Sequence, residues 1–335
     1  MKRRDFVIGL LLTATTASTQ AQQKAKVHRL AVVDPINPVG DISEAGDLPY
    51  YRGFFQRFQQ LGFAEGRNLE IKRYSAEGHS ERFVDMISEV VNLKPDVILA
   101  FSTRLVIILK GTTTTIPVVG LMADPVRYGI VASMARPGGN ITGVAHDPGV
   151  EFYAKRYELL KEVLPRASKL GILIPPALVG QIGGAAQLTE VTKRAGFELV
   201  LPSGQALYWH EEDCRAAFTH FASNRVDVII APETNEDWAY RRLIIALAKE
   251  FRLPAIYPDR MFVELGGLMS YGPDWTDLGR DCARVASQIF DGANPANIPI
   301  SQPTKYELSL NLQTAKALGI DMPPSVLVQA DKVIE

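Results

Sequence analysis

The chain has 335 residues, of which 47% are hydrophobic and 22% are charged, and its formal net charge is −1. This length allows two domains, each with its own hydrophobic core. The near-zero charge excludes the basic excess that is typical of nucleic-acid-binding proteins, so no nucleic-acid partner is expected.

The first residues have the order of an export signal. Residues 1–4, MKRR, are basic, an uncharged and largely apolar run covers residues 6–17, and small residues at 19 and 21 follow. This order predicts a signal peptide over residues 1–21 and a mature, periplasmic protein that begins near Gln22. The paired arginines with the following Asp-Phe resemble a twin-arginine motif, and a merely basic start is the alternative.

Strand-like and helix-like segments alternate over the first half of the remaining chain. The predicted elements are strand 28–34, helix 49–61, strand 68–74, helix 80–93, strand 96–101, helix 103–110, strand 116–121 and strand 141–145. Between the last two strands, residues 122–134 predict a short apolar helix. The breaker cluster Pro137-Gly138-Gly139-Asn140 follows it and favours a turn into the last strand.

The same alternation then starts again. The predicted elements are helix 152–164, strand 170–174, helix 181–195, strand 197–201, helix 211–223, strand 226–231, helix 235–251, strand 254–257, strand 266–271, helix 275–290, strand 305–310 and helix 312–318. Buried strands that alternate with helices indicate parallel sheets covered on both faces. Two such units in series predict an α/β protein with two doubly wound lobes.

One long motif links the chain to a known family. Residues 123–144, ADPVRYGIVASMARPGGNITGV, resemble the signature D-P-V-x-x-G-(I/L)-V-x-S-x-x-(R/K)-P-G-G-N-(V/I)-T-G of exported solute-binding proteins of ABC transporters. That family includes the tryptophan- and tyrosine-uptake binding proteins. Further matches follow in order at 61–63, 65–68, 113–117, 254–257, 266–272, 302–307 and 315–319. The resemblance therefore covers essentially the whole mature chain.

The resemblance implies a periplasmic-binding fold of the first type, with two lobes joined by three hinge crossings. The implied lobes are 28–145 with 274–302 and 146–273 with 303–335. The implied function is capture of a small ligand, an amino acid or another small carboxylate, and its delivery to an ABC permease by a monomer that needs no cofactor. A ligand-sensing receptor domain of the same fold is the alternative. Three cleft loops, 34–48, 175–179 and 232–235, depart from the family pattern, so the resemblance does not identify the ligand.

Candidate ligand-binding residues lie where predicted strands end, because open parallel sheets bind ligands beyond the carboxyl ends of their strands. They are Asp34, Ser102, Thr103, Met122, Asp124, Glu233, Thr234, Tyr257 and Tyr271. Ser102 and Thr103 open a helix, where they can cap it or bind a carboxylate. Asp124 and Glu233 are candidates for an ammonium group, and capping is the alternative for Asp124. Tyr257 and Tyr271 either fill the core or line the apolar part of a cleft.

The sequence offers no catalytic constellation. Its five histidines show no metal-binding spacing, and it contains no nucleophile elbow, P-loop or dinucleotide fingerprint. His146-Asp147 is most simply a hydrogen-bonded pair at the hinge. Cys214 and Cys282 fall in predicted helices of different implied lobes, so free thiols are expected, with a single disulfide as the alternative. We therefore expect a binding protein rather than an enzyme.

Overall fold

The computed structural model describes residues 26–147, 150–176, 179, 185–204 and 209–335. The predicted signal peptide, the first residues of the predicted helix 181–195 and part of the loop 175–179 lie outside these residues. Among the described helices, none combines the length and the apolar character needed to cross a membrane.

The first lobe is built on a five-stranded sheet. Its strands are β1 (His28–Asp34), β2 (Leu69–Ser75), β3 (Val97–Ala100), β4 (Val118–Met122) and β5 (Ile141–Ala145). They lie in the order β2-β1-β3-β4-β5 and are all parallel. The helices of this lobe are α1 (Pro49–Gln60), α2 (Phe83–Asn92), α3 (Thr103–Thr112) and the later α10 (Trp275–Phe290), which packs against α1 and the strands β3 to β5.

The second lobe contains a seven-stranded sheet. Its strands are β6 (Lys169–Ile172), β7 (Glu198–Val200), β8 (Val228–Ile230), β9 (Ala255–Tyr257), β10 (Met269–Pro273), β11 (Tyr306–Asn311) and β12 (Lys332–Ile334). The order is β12-β11-β10-β9-β8-β6-β7, with β10 and β11 antiparallel and the other pairs parallel. Its helices are α4 (Val150–Val163), α5 (Ala185–Arg194), α6 (Glu211–Ser223), α7 (Asn235–Ala239), α8 (Arg241–Glu250), α9 (Arg260–Glu264), α11 (Leu312–Leu318) and α12 (Pro324–Gln329).

Both sheets are covered on both faces, as the apolar strands predict. Leu30 and Val32 of β1 pack toward α1 and α10, whereas Ala31 and Val33 pack toward α2 and α3. The chain passes between the sheets after β5, after β10 and before β11. Cys214 in α6 and Cys282 in α10 are both free and buried. The fold is therefore the two-lobed α/β architecture that the sequence predicts.

The predicted helix between residues 122 and 134 is wrong. Asp124 to Gly129 form a single turn, in which Tyr128 N–H donates to the Asp124 carbonyl. Gly129 then takes a φ of 62°, and the Gly129 and Ile130 N–H groups donate to the Val126 and Pro125 carbonyls. This is a Schellman closure, which ends a helix as soon as one turn has formed.

The predicted helix 235–251 is also wrong as a single helix. It is two helices, α7 and α8, which separate at Tyr240. Thr234 and Asp237 form a capping box that fixes the start of α7, and Trp238 and Arg241 point into the interface between the lobes. Helix α9, helix α12 and strand β12 were not predicted.

Helices α1 and α10 approach so closely that neither can carry a side chain at the contact. A Cβ placed on Gly53 would collide with the backbone oxygen of Thr276, and one on Gly279 would collide with the backbone oxygen of Tyr50. Asp274 caps α10 by accepting from the Thr276 N–H at 2.8 Å. This contact determines where the first residues of both helices lie.

We expect Gly279→Ala to destabilise the fold by about 1–3 kcal/mol, because the added methyl group must push α10 away from the α1 backbone. Gly111→Ala is the matched control, since Gly111 also lies in a helix but a Cβ there meets no atom within 4 Å. That change should be neutral or stabilising by up to about 1 kcal/mol. Urea unfolding of both variants measures the difference, and equal stabilities would contradict this account of the contact.

Candidate ligand cleft

Each sheet has a topological switch point, where the strand order reverses, and the two switch points face each other. In the first sheet the strand order reverses between β1 and β3, and in the second between β6 and β8. Ligands of open parallel sheets bind at the carboxyl ends of the strands at such points. The segments that follow β3 and β8 meet across the interface, where the Asn235 side-chain amide donates to the Phe101 carbonyl at 3.1 Å.

A cavity lies between these segments. Its aromatic lining consists of Tyr50, Phe101, Tyr128, Tyr153, Trp238 and Trp275. Its polar lining includes Ser102, Thr103, Arg104, His146, Asp147, Glu233, Thr234 and Asn235. Both lobes and the first crossing contribute, so closing the lobes completes the cavity.

The aromatic wall joins the two lobes. The Tyr50 ring at the start of α1 lies edge-on to Trp238 of the second lobe, with ring centroids 5.6 Å apart. Trp238 and Trp275 are 5.0 Å apart, and Phe101 is 5.3 Å from Tyr50. The Trp275 indole N–H donates to the Pro258 carbonyl at 3.3 Å, which fixes the ring. This wall offers large apolar faces to a ligand ring.

The N-terminus of α3 forms the polar end of the cavity. The first-turn N–H groups of a helix lack intrahelical partners and favour an anion. Ser102 occupies the N-cap position without capping the helix through its side chain. Its hydroxyl is buried and has no hydrogen-bond partner among the described residues. A carboxylate oxygen in the cavity would satisfy both the hydroxyl and the N–H groups.

Two carboxylates lie at the crossing end of the cavity. Glu233 follows β8, and its Oε1 lies 2.5 Å from Nη2 of the buried Arg156. Asp147 lies 3.9 Å from Arg127, and its side chain is 11% exposed. A carboxylate that already has one cationic neighbour can still accept hydrogen bonds from an ammonium group.

His146 is a neutral member of the lining. Its ring lies 5.1 Å from Trp275. Burial lowers the pKa of His146 below its ordinary value, and the nearby Glu233 and Asp147 carboxylates only partly offset this effect. The imidazole is therefore uncharged at neutral pH, and it adds no positive charge beside the two carboxylates.

Ion pairs hold the lobes together around the cavity. The Arg104 guanidinium donates from Nη1 and Nη2 to the two Glu236 carboxylate oxygens at 2.8 and 3.0 Å. At the rim, Arg241 and Arg242 of α8 lie 3.2 and 3.3 Å from Asp47 in the long loop after β1. Segment 235–242 thus supplies most of the described polar contacts across the cleft, and we call it the latch.

The family model described as ABC transporter substrate binding protein matches residues 39–334. The chain belongs to this family. A tyrosine-binding protein of Clostridioides difficile (strain R20291) is 25% identical over 270 residues, which are 80% of this chain and 76% of that protein. The family is one of binding proteins rather than enzymes, and its members typically work outside the cytoplasm.

Solved structures share the fold of this substrate-binding protein. A conserved domain protein from Vibrio cholerae O1 biovar eltor str. N16961 is 26% identical with a TM-score of 0.80, over 92% of this chain and all of that one. An ABC domain from Streptococcus pneumonia in complex with L-Trp is 23% identical with a TM-score of 0.80 and the same coverage. Both likenesses extend over the two lobes.

Four of the predicted site residues line the cavity of the substrate-binding protein: Ser102, Thr103, Glu233 and Thr234. Two of them use their hydroxyls internally. Thr103 Oγ1 accepts from the Ala123 N–H at 2.9 Å. Thr234 Oγ1 both accepts from the Asp237 N–H and donates to the Asp237 carboxylate. Ser102 and Glu233 therefore have the side chains most available to a ligand.

Three of the predicted polar and sulfur-containing residues lie away from the cavity lining. Asp34 is buried and accepts from the Tyr51 hydroxyl at 2.7 Å and from the Asn37 N–H at 2.6 Å. Met122 is buried on the face of β4 that packs with α2 and α3. Asp124 caps its own turn, with Oδ1 accepting from two backbone N–H groups at 3.0 and 3.1 Å.

The two predicted tyrosines also lie outside the lining. Tyr257 is buried in the core, with its ring 5.2 Å from Phe262. Tyr271 stacks on Tyr306 at 5.8 Å, and its carbonyl accepts from Arg156. Tyr257 therefore fills the core, whereas Tyr271 is half-buried beside Tyr306 and does not line the cavity.

Most of the aromatic wall lies at positions that strand ends do not predict. Tyr50 and Trp275 occupy the first turns of helices, and Trp238 lies within a segment predicted as one long helix. None of these positions directly follows a strand. Two of the three tryptophans of the chain line this cavity, and that scarcity is the only signal that could have singled them out.

Glu236→Gln should favour an open arrangement of the lobes. The change removes the charge of a carboxylate whose side chain is 2% exposed and leaves Arg104, at 16%, without its anion. We expect the closed form to lose about 2 kcal/mol of stability relative to the open form. This value lies between those for exposed and for fully buried ion pairs. Small-angle scattering should show a larger radius of gyration.

The matched control for this variant is Glu190→Gln, because Glu190 pairs with Arg194 on the surface of α5. Its radius of gyration and stability should equal those of the parent. A radius for Glu236→Gln that is also unchanged would show that the Arg104 pair does not hold the lobes together.

Proposed function

We propose that this substrate-binding protein captures an amino acid with an aromatic side chain and presents it to the permease of an ABC transporter. The observation that carries this proposal is the composition of the cavity. An aromatic wall, the N-terminus of helix α3 and two carboxylates line the same cavity. The tyrosine-binding relative supports the same class of ligand.

The cavity matches the three parts of such a ligand. The carboxylate would accept from the Ser102 hydroxyl and the first N–H groups of α3. The ammonium group would donate to Glu233 or Asp147, because a charge in a closed cleft is costly without a partner. The ring would pack against Tyr50, Trp238 and Trp275.

Closure of the lobes would couple binding to delivery. The ligand contacts residues of both lobes, so it binds the closed form better than the open one and shifts the equilibrium toward it. Hinge bending at the crossings would bring the latch against the first lobe, so that Trp238 meets Tyr50 and Trp275. The permease could then distinguish the loaded protein by its closed surface.

The first ligand prediction concerns chemical groups. L-tyrosine and L-tryptophan should raise the melting temperature of the purified protein, by mass action on the folded state. Tyramine, which lacks the carboxylate, and 3-(4-hydroxyphenyl)propionate, which lacks the ammonium group, should bind much more weakly because each leaves buried partners unsatisfied. Equal binding of L-leucine and L-tyrosine would argue against an aromatic-selective site.

The second ligand prediction concerns side chains. Glu233→Gln should weaken binding of L-tyrosine by about 2–5 kcal/mol, the usual cost of removing one partner of a buried charge pair. Ser102→Ala should weaken it by about 1–2 kcal/mol through one lost hydrogen bond. Asp124→Asn is the control, since Asp124 itself does not line the cavity and an asparagine side-chain oxygen can still cap the same turn. Titration calorimetry measures all three, and a loss for Asp124→Asn as large as that for Glu233→Gln would contradict this assignment.

We also propose the export signal and the lobe limits. Residues 1–21 would be a signal peptide, as the family's work outside the cytoplasm supports, and the paired arginines would be either a twin-arginine motif or the basic start of a general secretory signal. The lobes would be 28–145 with 274–302 and 146–273 with 303–335, a division supported by the two sheets. The near-zero charge supports a protein without a nucleic-acid partner, which we expect to be a monomer.

The exported form should begin at or near Gln22. Intact-mass measurement of the periplasmic fraction decides this, and a mass that includes Met1 would contradict export by cleavage.

Replacing Arg3 and Arg4 by lysine should block export only if the twin-arginine route is used, because the general secretory route accepts any basic start.

A further inference from the structure

Arg156 of α4 is a buried cation behind the cavity. Its side chain has no exposed surface, and the described cavity lining does not include it. We propose that Arg156 is a positioning residue, which keeps Glu233 ionised and aimed into the cleft. Arg156 would thus determine ligand affinity without touching the ligand. The binding part of this inference rests on the proposed function, whereas the pairing part does not.

The contacts of Arg156 hold its guanidinium in one orientation. Nε donates to the Tyr271 carbonyl at 2.9 Å, and Nη2 lies 2.5 Å from Glu233 Oε1. The Tyr153 ring centroid lies 5.9 Å from the guanidinium carbon, and the Tyr153 hydroxyl is 3.4 Å from Glu233 Oε2. A rigid planar fork can satisfy two acceptors in different directions, which a lysine ammonium on a flexible stem does less well.

The position of Arg156 in the fold links the site to the hinge. Helix α4 follows the first crossing, and Tyr271 lies in β10 just before the second. Glu233 lies in the loop between β8 and α7, and α7 forms the first part of the latch. Arg156 therefore fixes the Glu233 loop relative to both crossings, so the carboxylate keeps its place when the lobes move.

Burial makes the charge of Arg156 necessary. The Glu233 side chain is 9% exposed, and a buried carboxylate without a cation takes up a proton. Arginine stays charged at every physiological pH. The other titratable groups near Glu233 are Tyr153 on α4, His146 and Asp147 at the first crossing, Asp237 on α7 and Tyr306 on β11. Two of these are carboxyl groups, and the ionised form of either would favour the neutral form of Glu233.

A ligand-free experiment tests the pairing. The free energy of unfolding is measured against pH from 5 to 8 for the parent, Arg156→Met, Glu233→Gln and the double variant. In Arg156→Met the buried Glu233 carboxyl would lack its cation, so the folded chain would hold a proton there that the unfolded chain releases. The unfolded chain then binds fewer protons, so stability should fall as pH rises. This slope should disappear in the double variant, in which residue 233 no longer titrates.

Two further variants keep this test decisive. Arg156→Lys retains the cation, so its pH slope should match the parent even if Arg156→Met folds poorly. Arg194→Met is the matched control, because Arg194 is an exposed arginine of the same lobe that pairs with Glu190. Parallel pH slopes for Arg156→Met, the double variant and the parent would overturn the inference.

The binding experiment tests positioning with L-tyrosine as the probe. Arg156→Lys should bind about tenfold or more weakly with an unchanged pH profile, because the charge remains but the fork is lost. Arg156→Met should lose affinity as pH falls from 8 to 6, where the parent should stay flat. Parent-like affinity and pH profile in both variants would show that Arg156 is only structural.

The two experiments also separate the inference from the proposed function. If the parent fails to bind L-tyrosine, the proposed ligand is wrong, and the ligand-free pH slopes still decide whether Arg156 keeps Glu233 ionised.

Discussion

The backbone contact between α1 and α10 is the constraint on which the cleft depends. Gly53 and Gly279 allow the two helices to touch without intervening side chains. Tyr50 and Trp275 lie in the first turns of these helices, so the contact places both rings at the interface between the lobes. Trp238 of the second lobe then packs against both. A helix from late in the chain thus completes the first lobe and the wall of the cavity.

Charge pairing is the second constraint, and it arises from burial. The interface removes Glu236 and Glu233 from water, and each lies against an arginine, Arg104 or Arg156. Such pairs contribute little net stability because desolvation offsets most of the attraction, but breaking one is costly. The Arg104–Glu236 pair therefore specifies how the lobes meet, and the Arg156–Glu233 pair specifies the orientation of the Glu233 carboxylate.

The regular elements could be predicted because their signals are local. Helix 275–290 and strand 28–34 match the structure at both ends, because apolar periodicity lies within each segment and the capping residue Asp274 directly precedes the helix. The two wrong helices show where local signals fail. Gly129 ends the turn after Asp124 through backbone bonds that apolar character does not reveal. The break at Tyr240 separates a capped turn from a helix that reaches the other lobe.

The sequence by itself determined the fold class, the two-lobed organisation and the family, because a long ordered motif and alternating apolar runs persist whatever their neighbours are. It also pointed to Ser102 and Glu233, which line the cavity, because the carboxyl ends of parallel strands converge. Only the tertiary structure decided the remaining lining of the cleft. Tyr50, Trp238 and Trp275 lie far apart along the chain, and Asp124 and Tyr257 have other partners. Several side chains of the same type lie at similar positions in the sequence, and only some of them line the cavity. Packing distances in the folded chain decide which ones do, and the residue type alone does not give those distances.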